Sequence, residues 1–320
     1  MSEPIIEQIE GYALSKSDRP KAQFEKVGIV GCGSMGQSLA IMIASRGIEV
    51  VFIELNQAKI DEAIEEIDEE LEFKINHWGI TASEKRGVMS RIKGTLDYNM
   101  LQGCDIVIEA ILSKTREVAR DVRKDVFKKI EQHVSPKTII ATNSTTTAIT
   151  EMAAVLDYKD RCISMHISTT APDAKLAEIV RSLYTTDEVC ANVQKFAILL
   201  GKKFIRVAES PGLVTVRLFA PMINEACDIL MEGVAELEKI DFAARTSINL
   251  PLGPFEMADK IGIDRVVRWL ENMYEEFGDL KYKPSPILKR LVRAENTGRK
   301  AGRGFYHYDE HGKKLEPALQ

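Results

Sequence analysis

The sequence predicts an α/β fold, a parallel sheet wound with helices and then an all-α domain, on three observations. Short β-branched runs alternate with amphipathic helical stretches from Lys26 to Val207. The first run leads directly into a glycine-rich turn and a helix. Beyond Ser210-Pro211-Gly212 the pattern is helical, with no credible strand before the tail.

In chain order, residues 1–24 are polar and punctuated by Pro4, Gly11, Ser15, Ser17 and Pro20, and read as an N-terminal extension. Lys26–Val30 is the first strand, residues 37–46 the helix after the glycine turn, and Glu49–Ile53 the second strand. Charged helices follow at 57–76 and 82–91. In the first of these, Ile60, Ala63, Ile64, Ile67, Leu71 and Ile75 recur at three- and four-residue steps, one buried stripe on a wet surface. Further strands are expected at 105–109, 138–142, 161–165, 177–181 and 203–207, with a helix at 118–133. Ser210 is a candidate N-cap with Pro211 in the first turn of an apolar helix reaching residue 232. More helices are expected near 235–247, 253–260, 263–277 and 285–295. The domains are then 25–208 and 209–320.

With 320 residues, 45% hydrophobic and 28% charged, the chain suits a two-domain globular protein. Lys plus Arg is 43 and Asp plus Glu 48, a net charge of −5, which argues against nucleic acid as partner. No apolar run approaches the roughly 20 residues a bilayer span needs. Met1-Ser2-Glu3-Pro4 lacks the basic start and apolar core of a signal peptide. The five cysteines are scattered without a C-x-x-C pair, so neither a metal site nor a disulfide framework is expected. The expected location is the cytoplasm.

Gly31-Cys32-Gly33-Ser34-Met35-Gly36 fits G-x-G-x-x-G, and by itself such a motif is also an ordinary tight turn. Here a strand precedes it, a helix follows, and Glu54 ends the next strand 18 residues after Gly36, the context of a Rossmann-type dinucleotide site. Gly31 allows the turn, Gly33 the approach of a pyrophosphate, and Gly36 close helix–strand packing. Unpaired N–H groups at Ser34 and Met35 open the helix. Glu54 suits the adenosine ribose hydroxyls and would repel a 2′-phosphate, so the expected cofactor is NAD rather than NADP.

Among five histidines, His77 and His133 lie in polar helices and His307 and His311 in the charged tail. His166 differs, because it ends a strand at the carboxyl edge of the sheet, where ligands bind in open α/β folds. Imidazole suits the removal of a hydroxyl proton near neutral pH. Glu178, twelve residues on, begins the next strand and is placed to return beside His166 and orient it. The hydroxyls of Ser144, Thr145, Thr146 and Thr147 reach the same edge, where the plain alternative is capping of the following helix.

The order of the glycine motif, Ile108-Glu109-Ala110, Ala141-Thr142-Asn143-Ser144-Thr145-Thr146, His166 with Glu178, Ser210-Pro211-Gly212 and Gly253-Pro254-Phe255-Glu256 resembles the 3-hydroxyacyl-CoA dehydrogenase family. The tail, with Pro284-Ser285-Pro286 and Gly304-Phe305-Tyr306, is similar to its short 3-hydroxybutyryl-CoA form. The resemblance implies NAD-dependent oxidation of an (S)-3-hydroxyacyl-CoA to the 3-ketoacyl-CoA and a homodimer joined through the helical domain. It makes His166 the base, Glu178 its orienting carboxylate and Thr145 the hydroxyl on the reacting oxygen. Glu109, Ala110 and Asn143 would meet the nicotinamide side of the cofactor. Two positions and one helix depart from the family pattern. Val216 stands for Asn in G-F-x-x-N-R, and Thr169 stands for Asn in H-F-F-N-P. Helix 57–76 is acidic where relatives carry bases for CoA phosphates, although Lys74, Lys85, Arg86, Arg91 and Lys93 lie nearby. These departures keep two alternatives open: a dehydrogenase of a free 3-hydroxy acid, and an NAD-binding homologue with little catalysis.

Overall fold

The computed structural model describes residues 24–76, 79–111, 116–167 and 175–319. The extension expected at 1–24 therefore lies outside the described residues, except for Phe24, which is buried against Phe196. Strand β1 (Lys26–Val30), helix α1 (Ser34–Ala44) and strand β2 (Glu49–Ile53) form the first βαβ unit. Helices α2 (Gln57–Asn76) and α3 (Ala82–Met89) lead to β3 (Ile92–Thr95), and then come β4 (Ile106–Glu109), α4 (Arg116–His133), β5 (Ile139–Thr142) and α5 (Ile149–Ala153). Strands β6 (Cys162–Ile167) and β7 (Leu176–Arg181), helix α6 (Asp187–Leu199) and β8 (Lys203–Val207) complete this half.

The eight strands make one sheet in the order β3-β2-β1-β4-β5-β6-β7-β8. Only the β6–β7 pair is antiparallel. Winding reverses direction between β1 and β4, and at such a switch point the carboxyl ends of the strands open a crevice. Both faces are covered. Leu39, Ile43, Ile67 and Phe196 from α1, α2 and α6 pack on one side, and Phe127, Ile130 and Met152 from α4 and α5 on the other. That double burial is why the strands read as apolar runs rather than alternating ones.

Strand β3 was not expected. It is a four-residue edge strand, Ile-Lys-Gly-Thr, with neither an apolar run nor an alternation to announce it. Its glycine is structural: a Cβ on Gly94 would lie 2.4 Å from Ile60 and 2.6 Å from Phe52, so only glycine lets the strand close on α2 and β2.

The second half is built from α7 (Thr215–Met231), α8 (Leu237–Ser247), α9 (Pro254–Ile261), α10 (Ile263–Phe277) and α11 (Pro286–Arg293) around its own core of Ile223, Phe255, Leu270 and Leu288. The expected purely helical character is interrupted once, by an antiparallel pair in the tail, β9 (Tyr306–Tyr308) with β10 (Lys314–Pro317). Two buried carboxylates anchor that tail. Asp259 accepts the N–H groups of Phe305 and Tyr306 and the Tyr308 hydroxyl, and Asp241 accepts the Tyr306 hydroxyl at 2.8 Å. Burial pushes Asp259 up to about 6. Among the described residues no helix is long and apolar enough to cross a membrane.

Candidate active site

The glycine turn sits at the carboxyl end of β1, at the switch point. Gly31 has φ +92° and its N–H donates to the Ile53 carbonyl, which folds the turn under the end of β2. A Cβ on Gly36 would fall 2.2 Å from the Gly31 carbonyl oxygen, so helix and turn touch through bare backbone. Gly33 is the N-cap of α1, with no side chain capping the helix, and no atom lies within 4 Å of where its Cβ would be. Open space in front of an uncapped helix N-terminus is the cradle an anion needs, so the residues present fit a dinucleotide diphosphate. Ser34 and Met35 form the first turn beside it. Glu54, at the end of β2, accepts the Cys32 N–H at 2.6 Å and the Leu55 N–H at 3.1 Å, which sets its carboxylate against the turn.

His166 and Glu178 are directly opposed on β6 and β7. Facing residues of an antiparallel ladder share one side of the sheet, with Cα atoms about 4.5–5.5 Å apart. Both are buried, at 5% and 0% exposure. Their hydrogen bonds nevertheless go elsewhere. The His166 Nδ1 lies 3.1 Å from the Asn143 carbonyl oxygen. The Glu178 carboxylate accepts the Val214 and Thr215 N–H groups at 2.8 and 3.2 Å and the Thr215 hydroxyl at 2.7 Å, all at the start of α7. A carbonyl accepts only, so Nδ1 carries the proton and Nε2 keeps its lone pair. The orienting hydrogen bond expected from Glu178 is thus made by a backbone atom, and Glu178 ties the sheet to the helical half. Burial pushes the His166 imidazole below its ordinary value. The Asn143 hydrogen bond and the Glu178 charge pull it back up, and the Arg265 charge adds to the lowering.

Asn143 holds the site from both ends, because its Oδ1 also accepts the Ile167 N–H at 2.9 Å. Glu109 is buried and fully engaged: it accepts the Thr142 hydroxyl at 2.6 Å and the Ile111 N–H at 2.8 Å, and pairs with Arg123 at 3.2 Å. Arg123 also reaches the Ile111 carbonyl and the Thr147 hydroxyl, so Glu109 fixes the two loops flanking β4 and β5. Ala110 follows it, its N–H on the Val30 carbonyl. Thr145 is buried in the β5–α5 loop, and its carbonyl accepts the Gly212 N–H at 2.7 Å from the turn between the halves.

Several features escaped sequence reasoning. Val216 packs wholly inside the helical core, while Thr215, one step round the helix, turns to Glu178. Arg265 of α10 donates to the Ser34 hydroxyl at 3.0 Å, bringing the helical half onto the cofactor turn. Thr169 and His77 lie outside the described residues. The acidic face of α2 is a network of surface and half-buried ion pairs, Lys59–Glu62, Lys74–Glu70, Lys85 with Asp68 and Glu72, and Lys300 with Glu66.

A doubly wound sheet with an uncapped glycine turn at the end of β1, and a buried histidine three strands along the same edge, fits an NAD-dependent oxidoreductase. Comparison with known proteins is specific about which. Residues 26–210 match the NAD-binding domain of 3-hydroxyacyl-CoA dehydrogenase, and residues 212–308 match its C-terminal domain. The chain belongs to the 3-hydroxyacyl-CoA dehydrogenase family. A probable 3-hydroxybutyryl-CoA dehydrogenase of Deinococcus radiodurans is 36% identical over 283 residues, 88% of this chain and 100% of the relative. One from Bacillus subtilis is 34% identical, covering 90% and 99%. The crystal structure of (S)-3-hydroxybutyryl-CoA dehydrogenase from Ralstonia eutropha superposes with a TM-score of 0.78 at 37% identity, covering 90% of this chain and 100% of that one. That of M. tuberculosis FadB2 gives 0.84 at 30% identity, covering 89% and 99%.

Proposed function

We propose that the protein oxidises a short-chain (S)-3-hydroxyacyl-CoA to the 3-ketoacyl-CoA with NAD⁺, and runs the reverse reduction with NADH. The observation that carries this reading is the buried, neutral His166 with its Nδ1 proton committed to Asn143. The named activities of the relatives supply the substrate class. When bound, NAD⁺ supplies the acceptor for the hydride leaving C3 of the substrate. His166 Nε2 takes the 3-hydroxyl proton as the carbonyl forms, and the imidazolium is stabilised by the Asn143 carbonyl and by the charge of Glu178 across the ladder. Thr145 is assigned the hydrogen bond to the reacting oxygen. Glu54 is assigned the adenosine ribose, and Gly31, Gly33, Ser34, Met35 and Gly36 the diphosphate. Glu109 with Ala110 and Asn143 frame the nicotinamide end, Glu109 by holding the loops through Arg123. The protein is expected to pair through its helical half, where Leu218, Val234, Phe242 and Ile248 stand exposed.

A second reading, oxidation of a free 3-hydroxy acid, draws on the cations near α2. Lys74 and Lys85 are spent on acids of that helix, and Arg91 on the Ala44 and Gly87 carbonyls, which leaves few charges for CoA phosphates. NADH oxidation against ketoacyl-CoA esters of graded length and against free acetoacetate separates the two. Acetoacetyl-CoA is expected to be turned over and free acetoacetate not. Turnover of the free acid alone would contradict the first reading.

A further inference from the structure

Arg265, on α10 of the helical half, reaches the cofactor turn. Its guanidinium carries five N–H donors, and one of them, on Nη2, meets the Ser34 hydroxyl at 3.0 Å. The acid next to it in sequence, Asp264, pairs with Arg268 at 3.0 Å, and among the described residues no carboxylate pairs with Arg265. Burial pushes the guanidinium below its ordinary value, the Asp264 charge pulls it back up and the Arg268 charge adds to the lowering; among the described residues its hydrogen-bond partner is the neutral Ser34 hydroxyl. Arg265 is half-buried, and a guanidinium with donors unspent there gains from an anion that takes two of them at once. The residue before its partner Ser34 is Gly33, the uncapped start of α1, with no atom within 4 Å of where a side chain would begin.

We propose that Arg265 is a ligand of the cofactor diphosphate supplied across the domain cleft, so that binding of NAD(H) pins the helical half onto the glycine turn. The proposal rests on the NAD site assigned above and adds to it a residue from the other domain. The direct contact with Ser34, the first residue of α1, favours the diphosphate over an anion carried by the substrate. A guanidinium matches two phosphate oxygens at once, which an ammonium does not. The same charge is felt at His166, so the clamp also places a cation near the reacting end of the site.

Fluorescence titration with NADH tests this, with ADP-ribose and adenosine as competitors, on wild type, Arg265→Gln and Arg265→Lys. Arg265→Gln is expected to weaken NADH and ADP-ribose about 10- to 100-fold and leave adenosine, which has no diphosphate, unchanged. Arg265→Lys keeps the charge and is expected to recover part of the loss. In hydrogen exchange, NADH should protect the turn at 210–213 in wild type and fail to do so in Arg265→Gln. Unchanged NADH affinity in Arg265→Gln overturns the proposal, as does a rise confined to the KM for acyl-CoA, which would assign the charge to the substrate. Equal losses in both variants would also overturn it, since a structural role would explain them. Failure of the wild type to bind NADH is a different result and would overturn the cofactor site itself.

Discussion

His166→Ala is expected to lower turnover roughly 10²- to 10⁴-fold while NADH binds as it does to wild type. The ring has one free nitrogen, Nε2, because the Asn143 carbonyl takes the other. Removing it leaves no imidazole on β6: Met165 and Ile167 beside it are apolar core residues on the other face, and Ser164 on the same face is a hydroxyl, far too weak a base to take the proton. The cofactor turn, at the end of β1, is built from other strands and keeps its geometry. A thermal melt distinguishes lost chemistry from lost packing, because a truncated buried ring also leaves a cavity worth a few kcal/mol. Near-normal turnover in this variant would remove His166 from the mechanism.

Gly33→Val is the second large effect, and it acts on binding. The backbone at Gly33 has φ −71°, which any residue adopts, and the space in front of it is empty of protein atoms. A valine there is expected to leave the melting temperature within a few degrees of wild type. Its side chain would nonetheless fill the cradle and raise the dissociation constant for NADH about 100-fold or more, the worth of displacing a phosphate from charge-assisted hydrogen bonds. Gly36 is the contrast. There a Cβ meets the Gly31 carbonyl at 2.2 Å, and substitution attacks the fold before the cofactor. Undiminished NADH affinity in Gly33→Val would place the diphosphate elsewhere.

Much of this architecture is legible in the chain. The βαβ start, the glycine turn and Glu54 are local patterns, and the spacing from His166 to Glu178 allows a return that brings them together, while their facing register is seen only in the sheet. The partners of these residues were not legible, for physical reasons. The atom that orients His166 is a backbone carbonyl, which carries no sequence signature. Glu178 is held by the first turn of α7, 36 and 37 residues on, through two N–H groups and a threonine hydroxyl. Arg265 reads in sequence as one more charge on the amphipathic helix α10, and only the approach of the two halves shows it facing Ser34. Strand β3 and the tail pair β9–β10 are three or four residues long and lack periodicity, so their existence depends on the neighbours they pack against.

The pH dependence of kcat/KM for 3-hydroxybutyryl-CoA oxidation at saturating NAD⁺ bears most directly on the neutral imidazole at the sheet edge. Oxidation requires the unprotonated ring, so the rate should rise with pH through the His166 pKa and then level off. Burial holds that pKa below the ordinary 6.5, so the acid limb should fall below 6.5, and it should vanish from the residual activity of His166→Ala. An acid limb above 6.5, or one that survives unchanged without the imidazole, would contradict the assignment.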